Sequence, residues 1–366
     1  MFDLEHYIEL YLTSPVLFTM INLDFQAIEN PSEIAMALGC SPSSIVRVLE
    51  RPSLFYDQLR LRKKGKYNRG EYRTVYRVKP ELKNLQKNIA TAISSSQQFP
   101  EYVQGFVSKR SIATNAALHL AQKYVLNVDI KDFFDSITQA QVTEVFKKLG
   151  CIESIALIFA KLCTLHGQLV QGASTSPVLA NLVCIALDQE LAELGKKHGC
   201  SYSRYADDIT FSGEQLPRNK DIERCLKQHG FQSNPHKWKR QSRGQSQYVT
   251  GLTVFDNISP RIPKYIKRRL RQILHYASKY GLESHLDKIQ CIDEDSERFE
   301  IRRIDGMIAF MYSVEPDHAL QFDLQWQEII KASFLLEDED MDWVLPRDPH
   351  AIFARCSSRQ VGVASS

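Results

Sequence analysis

The spacing of hydrophobic residues predicts helices that alternate with short strands along most of the chain. The short, largely apolar run YVLNVDI (124–130) suits a buried strand. Thr138 and Gln141 form a T-x-x-Q capping box before apolar residues at helical spacing. In SYSRYADDITFSG (201–213), two alternating runs flank a pair of aspartates, which predicts a β-hairpin. Helices around an antiparallel sheet indicate an α+β fold.

Three further elements follow from the same patterns. Basic residues alternate with Tyr and Val over 60–80, which predicts an edge hairpin. Ser176 and Pro177 are predicted to be the N-cap and first residue of a helix. The stretch RIPKYIKRRLRQILHYASKYG (261–281) predicts a helix with one apolar stripe. The stripe contains Ile262, Ile266, Leu270, Ile273 and Leu274. Tyr265 could stack on nucleic acid, but a half-buried place in the core is favoured.

The first 55 residues are predicted to be helical. Within them, SEIAMALGCSPSSIVRVLE (32–50) has the small-residue, Gly-turn and apolar rhythm of a helix-turn-helix. It could read DNA, or it could be a helical hairpin packed on the next domain. The second candidate helix carries a single base, Arg47, which favours the packed hairpin.

Charge is distributed unevenly, although the net charge is only +3. Residues 57–88 hold eleven Lys and Arg against three acids, and residues 261–271 hold six bases and no acid. The stretch EDEDMD at 337–342 is nearly all acidic. Concentrated basic faces on a near-neutral protein favour a polyanionic partner, although each run alone could be a solvated helix face.

Composition argues against export and against a membrane span. No stretch approaches 18 uncharged apolar residues, and the N-terminus carries acids where a signal peptide carries bases. The eight cysteines include no C-x-x-C pair. We therefore expect a cytoplasmic protein of two or three subdomains, with reduced thiols.

Three carboxylates are placed where strands are predicted to end. Asp129 closes the strand at 124–130, while Asp207 and Asp208 occupy the hairpin tip. If these strands are neighbours, the three side chains meet at one sheet edge. Clustered oxygen ligands suit Mg²⁺, and two ions roughly 3.5–4 Å apart can activate a hydroxyl and stabilise leaving pyrophosphate. The alternative is an ordinary polar turn, where Asp is common.

Three motifs, in order along the chain, resemble those of reverse transcriptases. They are NVDIKDFFDSI (127–137), QGASTSPVLAN (171–181) and YADD (205–208). The resemblance covers roughly residues 60–260. It implies a right-hand polymerase with fingers, a palm built on an antiparallel sheet, and a helical thumb. The implied parts are a small helical N-terminal segment (1–55), fingers and palm (56–257), and a thumb and C-terminal RNA-binding region with the acidic tail (258–366).

The resemblance also implies roles for the charged residues of the site. Asp129, Asp207 and Asp208 match the catalytic carboxylates that hold the two Mg²⁺ ions. Lys237 matches a lysine that protonates leaving pyrophosphate. The family has Thr after this lysine where this chain has Trp238, so that part of the alignment is looser.

Nucleotide-binding roles are implied for four other positions. Arg73 matches an arginine that contacts the triphosphate. Phe134 matches an aromatic gate that excludes a ribose 2′-hydroxyl, although it could instead be a core aromatic like its neighbour Phe133. Gln171 and Gly172 match the pair that shapes the nucleotide pocket, with Gly permitting close backbone approach.

Two short motifs narrow the family to bacterial retron reverse transcriptases. Asn115-Ala116-x-x-His119 resembles their N-A-x-x-H motif, and Val249-Thr250-Gly251 resembles their V-T-G motif in the region that recognises the cognate RNA. The residues expected to contact RNA are Asn115, His119, Val249, Thr250 and Gly251, together with Lys264, Lys267, Arg268 and Arg271 on the basic helix.

A retron enzyme implies specific partners. It would bind a structured non-coding RNA, prime from a 2′-hydroxyl in that RNA, use dNTPs, and hold an RNA–DNA duplex. Such systems commonly act with an effector protein in defence against phage. Two alternatives stay open, namely another stand-alone bacterial reverse transcriptase (of the abortive-infection or diversity-generating type) and a helix-turn-helix DNA-binding regulator.

Overall fold

The computed structural model describes residues 23–62, 72–291 and 293–334. The chain divides into two compact units. The first unit comprises Met1–Pro100, Lys131–Leu187 and His229–Phe231. The second unit comprises Glu101–Ile130, Asp188–Gln228 and Gln232–Ser366. The predicted acidic tail at 337–342 and residues 1–22 of the predicted N-terminal segment lie outside the described residues, and the predicted three-part division stays a prediction.

Helices and short strands alternate in chain order, which makes the fold α+β, as predicted. The strands are β1 (Tyr56–Arg62), β2 (Tyr72–Val78), β3 (Tyr124–Asp129), β4 (Ser201–Tyr205), β5 (Asp208–Gly213), β6 (Lys239–Ser242), β7 (Tyr248–Val249) and β8 (Leu252–Thr253). The helices are α1 (Pro31–Leu38), α2 (Pro42–Glu50), α3 (Pro80–Ser96), α4 (Ile112–Ala117), α5 (Gln139–Lys148), α6 (Glu153–Cys163), α7 (Ser176–Val183), α8 (Ile185–Lys197), α9 (Asn219–Gln228), α10 (Lys264–Tyr280), α11 (Leu282–Lys288), α12 (Glu294–Tyr312) and α13 (Pro316–Phe334). Two 3₁₀ turns span Pro52–Phe55 and Pro235–Lys237.

In the first unit, α1 and α2 form a helical hairpin on α3. A capping box between Asn30 and Glu33 begins α1, and Gly39, with φ 68°, ends it in the left-handed conformation. Arg47 pairs with Glu81 on α3. The single base of the candidate recognition helix is therefore engaged within the unit, which supports the packed hairpin over a DNA reader.

Two other predictions concern the first unit. The edge hairpin exists, since β1 and β2 pair antiparallel from Tyr56↔Val78 to Arg62↔Tyr72. The predicted cap of α7 is wrong by one residue. Thr175 holds the cap position, and the Ser176 hydroxyl donates to the Val170 carbonyl at 2.8 Å. Ser176 thus satisfies a buried carbonyl and lies inside the helix.

The second unit is built on a four-stranded antiparallel sheet with the order β4-β5-β3-β6. Its strands bury Val125, Val128, Ile209 and Phe211 almost completely. The paired strands β3 and β5 bring Asp129 opposite Asp208, so the sheet register itself brings two of the predicted carboxylates together.

Helices α10 to α13 form much of the second unit's remaining core. Leu270 and Leu274 of α10 are buried with Trp326 of α13, which confirms the predicted apolar stripe. Tyr265, expected to be half-buried, is 68% exposed. That expectation was wrong, because Tyr265 lies outside the stripe that faces the core. No helix within the described ranges is long and apolar enough to cross a membrane.

Candidate catalytic site

Three carboxylates lie at one edge of the sheet. Asp129 ends β3 and pairs with Asp208, which begins β5. Asp207 lies in the two-residue turn between β4 and β5, next to Ala206, whose φ is 57°. The Asp207 carbonyl accepts a hydrogen bond of 2.9 Å from the Ile130 amide. The tight turn and this bond bring the hairpin tip to the end of β3, where the sequence predicted the carboxylates to converge.

The carboxylates repel one another in a partly desolvated place. Loss of hydration and then the charge of Asp129 raise the pKa of Asp207 above its ordinary value. Loss of hydration, followed by the charges of Asp207 and Asp129, raises the pKa of Asp208 to about 7. Groups that favour their neutral forms in this way indicate a site short of positive charge.

Lys237 supplies one of the missing charges. Its Nζ donates to Asp129 Oδ2 at 2.6 Å. Burial acts to lower the pKa of Lys237, but the bond to Asp129 and the charges of Asp207 and Asp208 outweigh it and raise that pKa. The ammonium group is therefore held protonated against the carboxylate cluster.

The donor chemistry of the cluster fits a hard divalent cation. Three carboxylates face one ammonium group, so negative charge remains in excess, and oxygen ligands are those that Mg²⁺ prefers. Over residues 23–62, 72–291 and 293–334, however, no three His, Cys, Asp or Glu side chains are already arranged around a common metal position. In this structure the negative charge of Asp129 is compensated by the ammonium group of Lys237 and not by a preformed metal site. The number and identity of the ions stay predictions.

Two residues that sequence reasoning missed support the turn between β4 and β5. Arg204 is fully buried and donates two bonds of 2.7 Å to the Asp188 carboxylate and one of 3.1 Å to the Ala206 carbonyl. Gly105 packs against the turn so closely that a Cβ there would lie within 3.0 Å of the Ala206 nitrogen. A signal for Arg204 was available, since a charged residue on the same strand face as buried Tyr202 needs a buried partner.

Several residues expected to contact RNA are inside the protein. Asn115, His119 and Val249 have no exposed surface. The prediction that these three residues contact RNA directly is therefore wrong. The physical reason is that the polar groups of Asn115 and His119 bond to other buried groups. Thr250 is half-buried and Gly251 is exposed, and their contact with RNA stays a prediction.

The bases of α10 divide into two sets. Lys267 Nζ donates to both oxygens of buried Glu315, at 3.0 and 3.1 Å. The ammonium group thus neutralises a buried carboxylate, and the contact of Lys267 with RNA stays a prediction. Lys264, Arg268 and Arg271 are exposed, and for them RNA contact stays a prediction.

A basic and aromatic surface along β6 was also missed. Among the described strands, β6 pairs only with β3 and is an edge of the sheet. Three exposed bases lie over aromatic rings, namely Lys239 over Tyr248 at 5.0 Å, Arg240 over Tyr124 at 4.9 Å and Arg243 over Phe255 at 5.2 Å. We call these six residues the β6 surface. The sequence signal was the interleaving of bases with Trp in HKWKRQSR (236–243).

The predicted nucleotide-binding residues belong to the first unit. Arg73 is exposed on β2, and Phe134 is half-buried beside Phe133. The Tyr76 amide donates to the Gln171 carbonyl at 2.8 Å. Gly172 has φ 114°, and a Cβ there would lie within 3.0 Å of the Tyr76 carbonyl oxygen.

This loop can therefore approach β2 only because Gly172 lacks a side chain. Phe133 is buried and stacks on Phe231, with ring centroids 6.0 Å apart, which gives it the core role. The nucleotide-binding role of Arg73, Phe134, Gln171 and Gly172 stays a prediction.

Comparison with known proteins agrees with the motifs. Residues 61–254 match the family described as reverse transcriptase (RNA-dependent DNA polymerase). The retron Mx65 reverse transcriptase of Myxococcus xanthus is 33% identical over 78% of this chain and 69% of that protein. The retron Mx162 enzyme of the same organism is 30% identical (71% of this chain, 59% of that protein), and the retron Ec86 enzyme of Escherichia coli is 34% identical (55% and 62%). The chain therefore belongs to the reverse transcriptases, the RNA-directed DNA polymerases, and among them to those of retrons.

Proposed function

We propose that this protein copies part of a cognate structured non-coding RNA into single-stranded DNA that stays linked to the RNA. The observation that carries the proposal is the convergence of Asp129, Asp207 and Asp208 at one sheet edge with Lys237 bonded to the first of them. This is the arrangement of acids and base that nucleotidyl transfer requires. Similarity to retron enzymes supports the choice of RNA template.

We assign the three aspartates to binding of two Mg²⁺ ions. When bound, such ions supply charge neutralisation on the triphosphate and activation of the attacking hydroxyl. Lys237 would then act on the leaving group. With Asp129 engaged by a cation, Lys237 would lack the bond that raises its pKa and would be the better proton donor to pyrophosphate.

The remaining contacts with substrate divide by charge and shape. We assign Arg73 to the incoming triphosphate, Phe134 to exclusion of the ribose 2′-hydroxyl, and Gln171 with Gly172 to the nucleotide pocket. These assignments rest on the motif resemblance. With them we propose the division into fingers and palm (56–257) and a thumb (258–366) that follows a helical segment (1–55).

Basic surfaces of the second unit would hold RNA and the RNA–DNA duplex. The exposed bases of α10 and the β6 surface present positive charge without acidic partners of their own in the described hydrogen bonds. Such bases neutralise phosphates without reading sequence, while aromatic rings such as Tyr124 and Tyr248 offer faces for base stacking. Defence against phage with an effector protein is the cellular role that we propose on the retron resemblance.

Expression of the native locus with several hundred flanking bases tests the function. Small nucleic acids are run on a denaturing gel before and after RNase, beside the same locus carrying Asp207→Ala and Asp208→Ala. We expect a short DNA band that shifts on RNase treatment and is absent from the variant. If no such band forms while the purified protein extends a DNA primer on RNA, the polymerase activity is supported and the proposal of RNA-linked synthesis is rejected.

A further inference from the structure

One chain of hydrogen bonds connects both retron motifs to the two strands of the catalytic hairpin. It runs from α4 through β4 and β5 and reaches the turn between β7 and β8. The bonds are Thr250 Oγ1 to Ile112 O at 3.0 Å, Asn115 Nδ2 to Thr250 Oγ1 at 3.4 Å, Ser203 Oγ to Asn115 Oδ1 at 2.7 Å, His119 Nε2 to Ser203 Oγ at 2.7 Å and His119 Nδ1 to Ser212 Oγ at 2.7 Å. We call Asn115, His119, Ser203, Ser212 and Thr250 the polar network.

The direction of each bond at the Thr250 end is fixed by chemistry. A carbonyl can only accept, so the Thr250 hydroxyl donates its one proton to Ile112 and must accept from the Asn115 amide. The other end of that amide, Oδ1, accepts from the Ser203 hydroxyl. Ser203 has then used its proton and can only accept from His119.

The protonation of His119 follows from the same reasoning. Its Nε2 must carry the proton donated to Ser203, and its Nδ1 must accept from the Ser212 hydroxyl. The ring is therefore neutral and in one tautomer. Burial supports this state, since it lowers the pKa of His119 to about 3. Each hydrogen bond of the network therefore has one direction, and each hydroxyl and both ring nitrogens are engaged inside the protein.

Thr250 is held in a backbone conformation that its side chain disfavours. It lies with Gly251 in the two-residue turn between Val249 and Leu252, and both turn residues have positive φ, 46° and 83°. Asn or Gly suits such a position, whereas a β-branched residue is strained there. Unlike Asn or Gly, Thr carries a hydroxyl group on its branched Cβ. In Thr250 this hydroxyl is the group that bonds to Ile112 and Asn115.

We propose that Asn115, His119 and Thr250 are positioning residues, which fix the hairpin of Asp207 and Asp208 against the β7–β8 turn. His119 bonds to a serine on each arm of the hairpin, Ser203 on β4 and Ser212 on β5, and Thr250 ties this assembly to α4. The inference rests on the proposed function in that it takes Asp207 and Asp208 as catalytic. A shift of about 1 Å in catalytic groups can cost 10²-fold in rate, so the network acts on turnover.

Substitution of Thr250 tests the inference, because Thr250→Val keeps the branched shape and removes the hydroxyl while Thr250→Ser keeps the hydroxyl. The matched control is Thr253→Val on β8, which removes a hydroxyl bonded at 3.1 Å to the Arg261 carbonyl but outside the network. Turnover is measured with Mg²⁺ and dTTP on a poly(rA) template with an oligo(dT) primer. We expect Thr250→Val to lower kcat about 10–100-fold, and Thr250→Ser and Thr253→Val to stay near the unsubstituted protein.

RNA-linked DNA from the native locus is measured for the same variants. If Thr250→Val loses that product but keeps its kcat on poly(rA), the inference is overturned. Thr250 would then act in RNA recognition. Equal loss of kcat in Thr250→Val and Thr253→Val, or in Thr250→Val and Thr250→Ser, would also overturn it. Should Thr250→Val not fold, Ser203→Ala breaks the network from the hairpin side and is expected to lower kcat in the same way; unchanged kcat there overturns the inference.

Asp208→Asn in the same assay separates the two proposals. If Asp208→Asn polymerises normally, the assignment of the catalytic site fails. If Asp208→Asn is inactive while Thr250→Val and Ser203→Ala are fully active, only the positioning role fails.

Discussion

At the scale of single residues, the charged side chains of the site lower the stability of the folded state. The sheet register places Asp208 opposite Asp129, and the turn places Asp207 beside them. The pKa of each of the two turn aspartates is raised by lost hydration and by the charge of neighbouring carboxylates. Lys237 compensates only in part. Active sites commonly trade stability for function in this way. His119 is likewise buried in its neutral form, bonded to Ser203 and Ser212.

Asp208→Asn is expected to abolish DNA synthesis and to stabilise the metal-free protein, because one of the repelling charges is removed. Because water screens the exposed Asp208 carboxylate, the gain is small, about 1 kcal/mol or about 2–4 °C in Tm, in EDTA at pH 8. Thermal unfolding measures it, with the exposed Asp287→Asn as the control that leaves Tm unchanged. A lower Tm for Asp208→Asn would contradict repulsion at the site.

His119 predicts a loss of stability in acid. Its folded pKa of about 3 lies below the value of about 6.5 in an unfolded chain, so below pH 6.5 the unfolded state takes up a proton that the native state refuses. The free energy of unfolding therefore falls as pH drops from 6.5 toward 3, by about 1.4 kcal/mol per pH unit. Urea unfolding at pH 7.5 and pH 5 should show about 2 kcal/mol more loss for the unsubstituted protein than for His119→Gln. Equal losses would mean that His119 is protonated in the folded state.

At the scale of elements, the hairpin of β4 and β5 is held in place by more than one contact at its turn. Arg204 bonds to the Ala206 carbonyl at the turn, and Gly105 packs against the Ala206 nitrogen. The two faces of helix α10 have different environments, since Leu270 packs in the core while Arg268 is exposed. Position on the element, and not residue type, decides which base is available to a partner.

Gly105→Ala is expected to displace the hairpin turn, since the added Cβ would meet the Ala206 nitrogen within 3.0 Å. The expected result is a loss of kcat of at least about tenfold on poly(rA) with oligo(dT). Gly306→Ala in α12, where an added Cβ meets nothing within 4 Å, is the matched control and should leave kcat unchanged. Equal kcat for both variants would show that the turn yields to the added methyl group.

Lys267 and Arg268 are neighbours on α10 with opposite expected effects. Lys267→Ala leaves Glu315, which is 2% exposed, with less compensation, so the free energy of unfolding should fall by about 1–3 kcal/mol. Arg268→Ala should leave stability unchanged, weaken RNA binding and reduce the slope of log affinity against log salt by about 1. Urea unfolding and RNA binding at several salt concentrations measure the two effects. The reverse pattern would exchange the two assignments.

Across the whole molecule, the groups proposed for catalysis differ from those proposed for RNA binding. The three carboxylates of the site lie at the end of β3 and in and beside the β4–β5 turn, whereas the exposed bases proposed to hold RNA lie along β6 and α10. The first unit supplies the β1–β2 hairpin that carries Arg73 and the loop of Gly172 beside it. Charges segregated in this way favour a polyanionic partner even though the net charge is only +3.

Removal of divalent metal is therefore expected to separate the two properties. With EDTA in excess, DNA synthesis should stop while the affinity for a poly(rA) template with oligo(dT) primer changes by less than about threefold, because phosphate contacts with Lys and Arg do not need the metal. Return of Mg²⁺ should restore synthesis. Affinity that falls with activity would place RNA binding at the carboxylates.

The sequence by itself determined the local features and the family. The capping box at Thr138, the buried strand ending in Asp129, the hairpin with Asp207 and the stripe of α10 each depend on residues within a few positions of one another, where periodicity and turn chemistry suffice. Only the tertiary structure decided which polar residues face inward. Asn115 meets Thr250 across 135 positions and Lys267 meets Glu315 across 48. A buried partner so distant in the chain leaves no local pattern, because burial is set by packing between elements and not by the spacing within one.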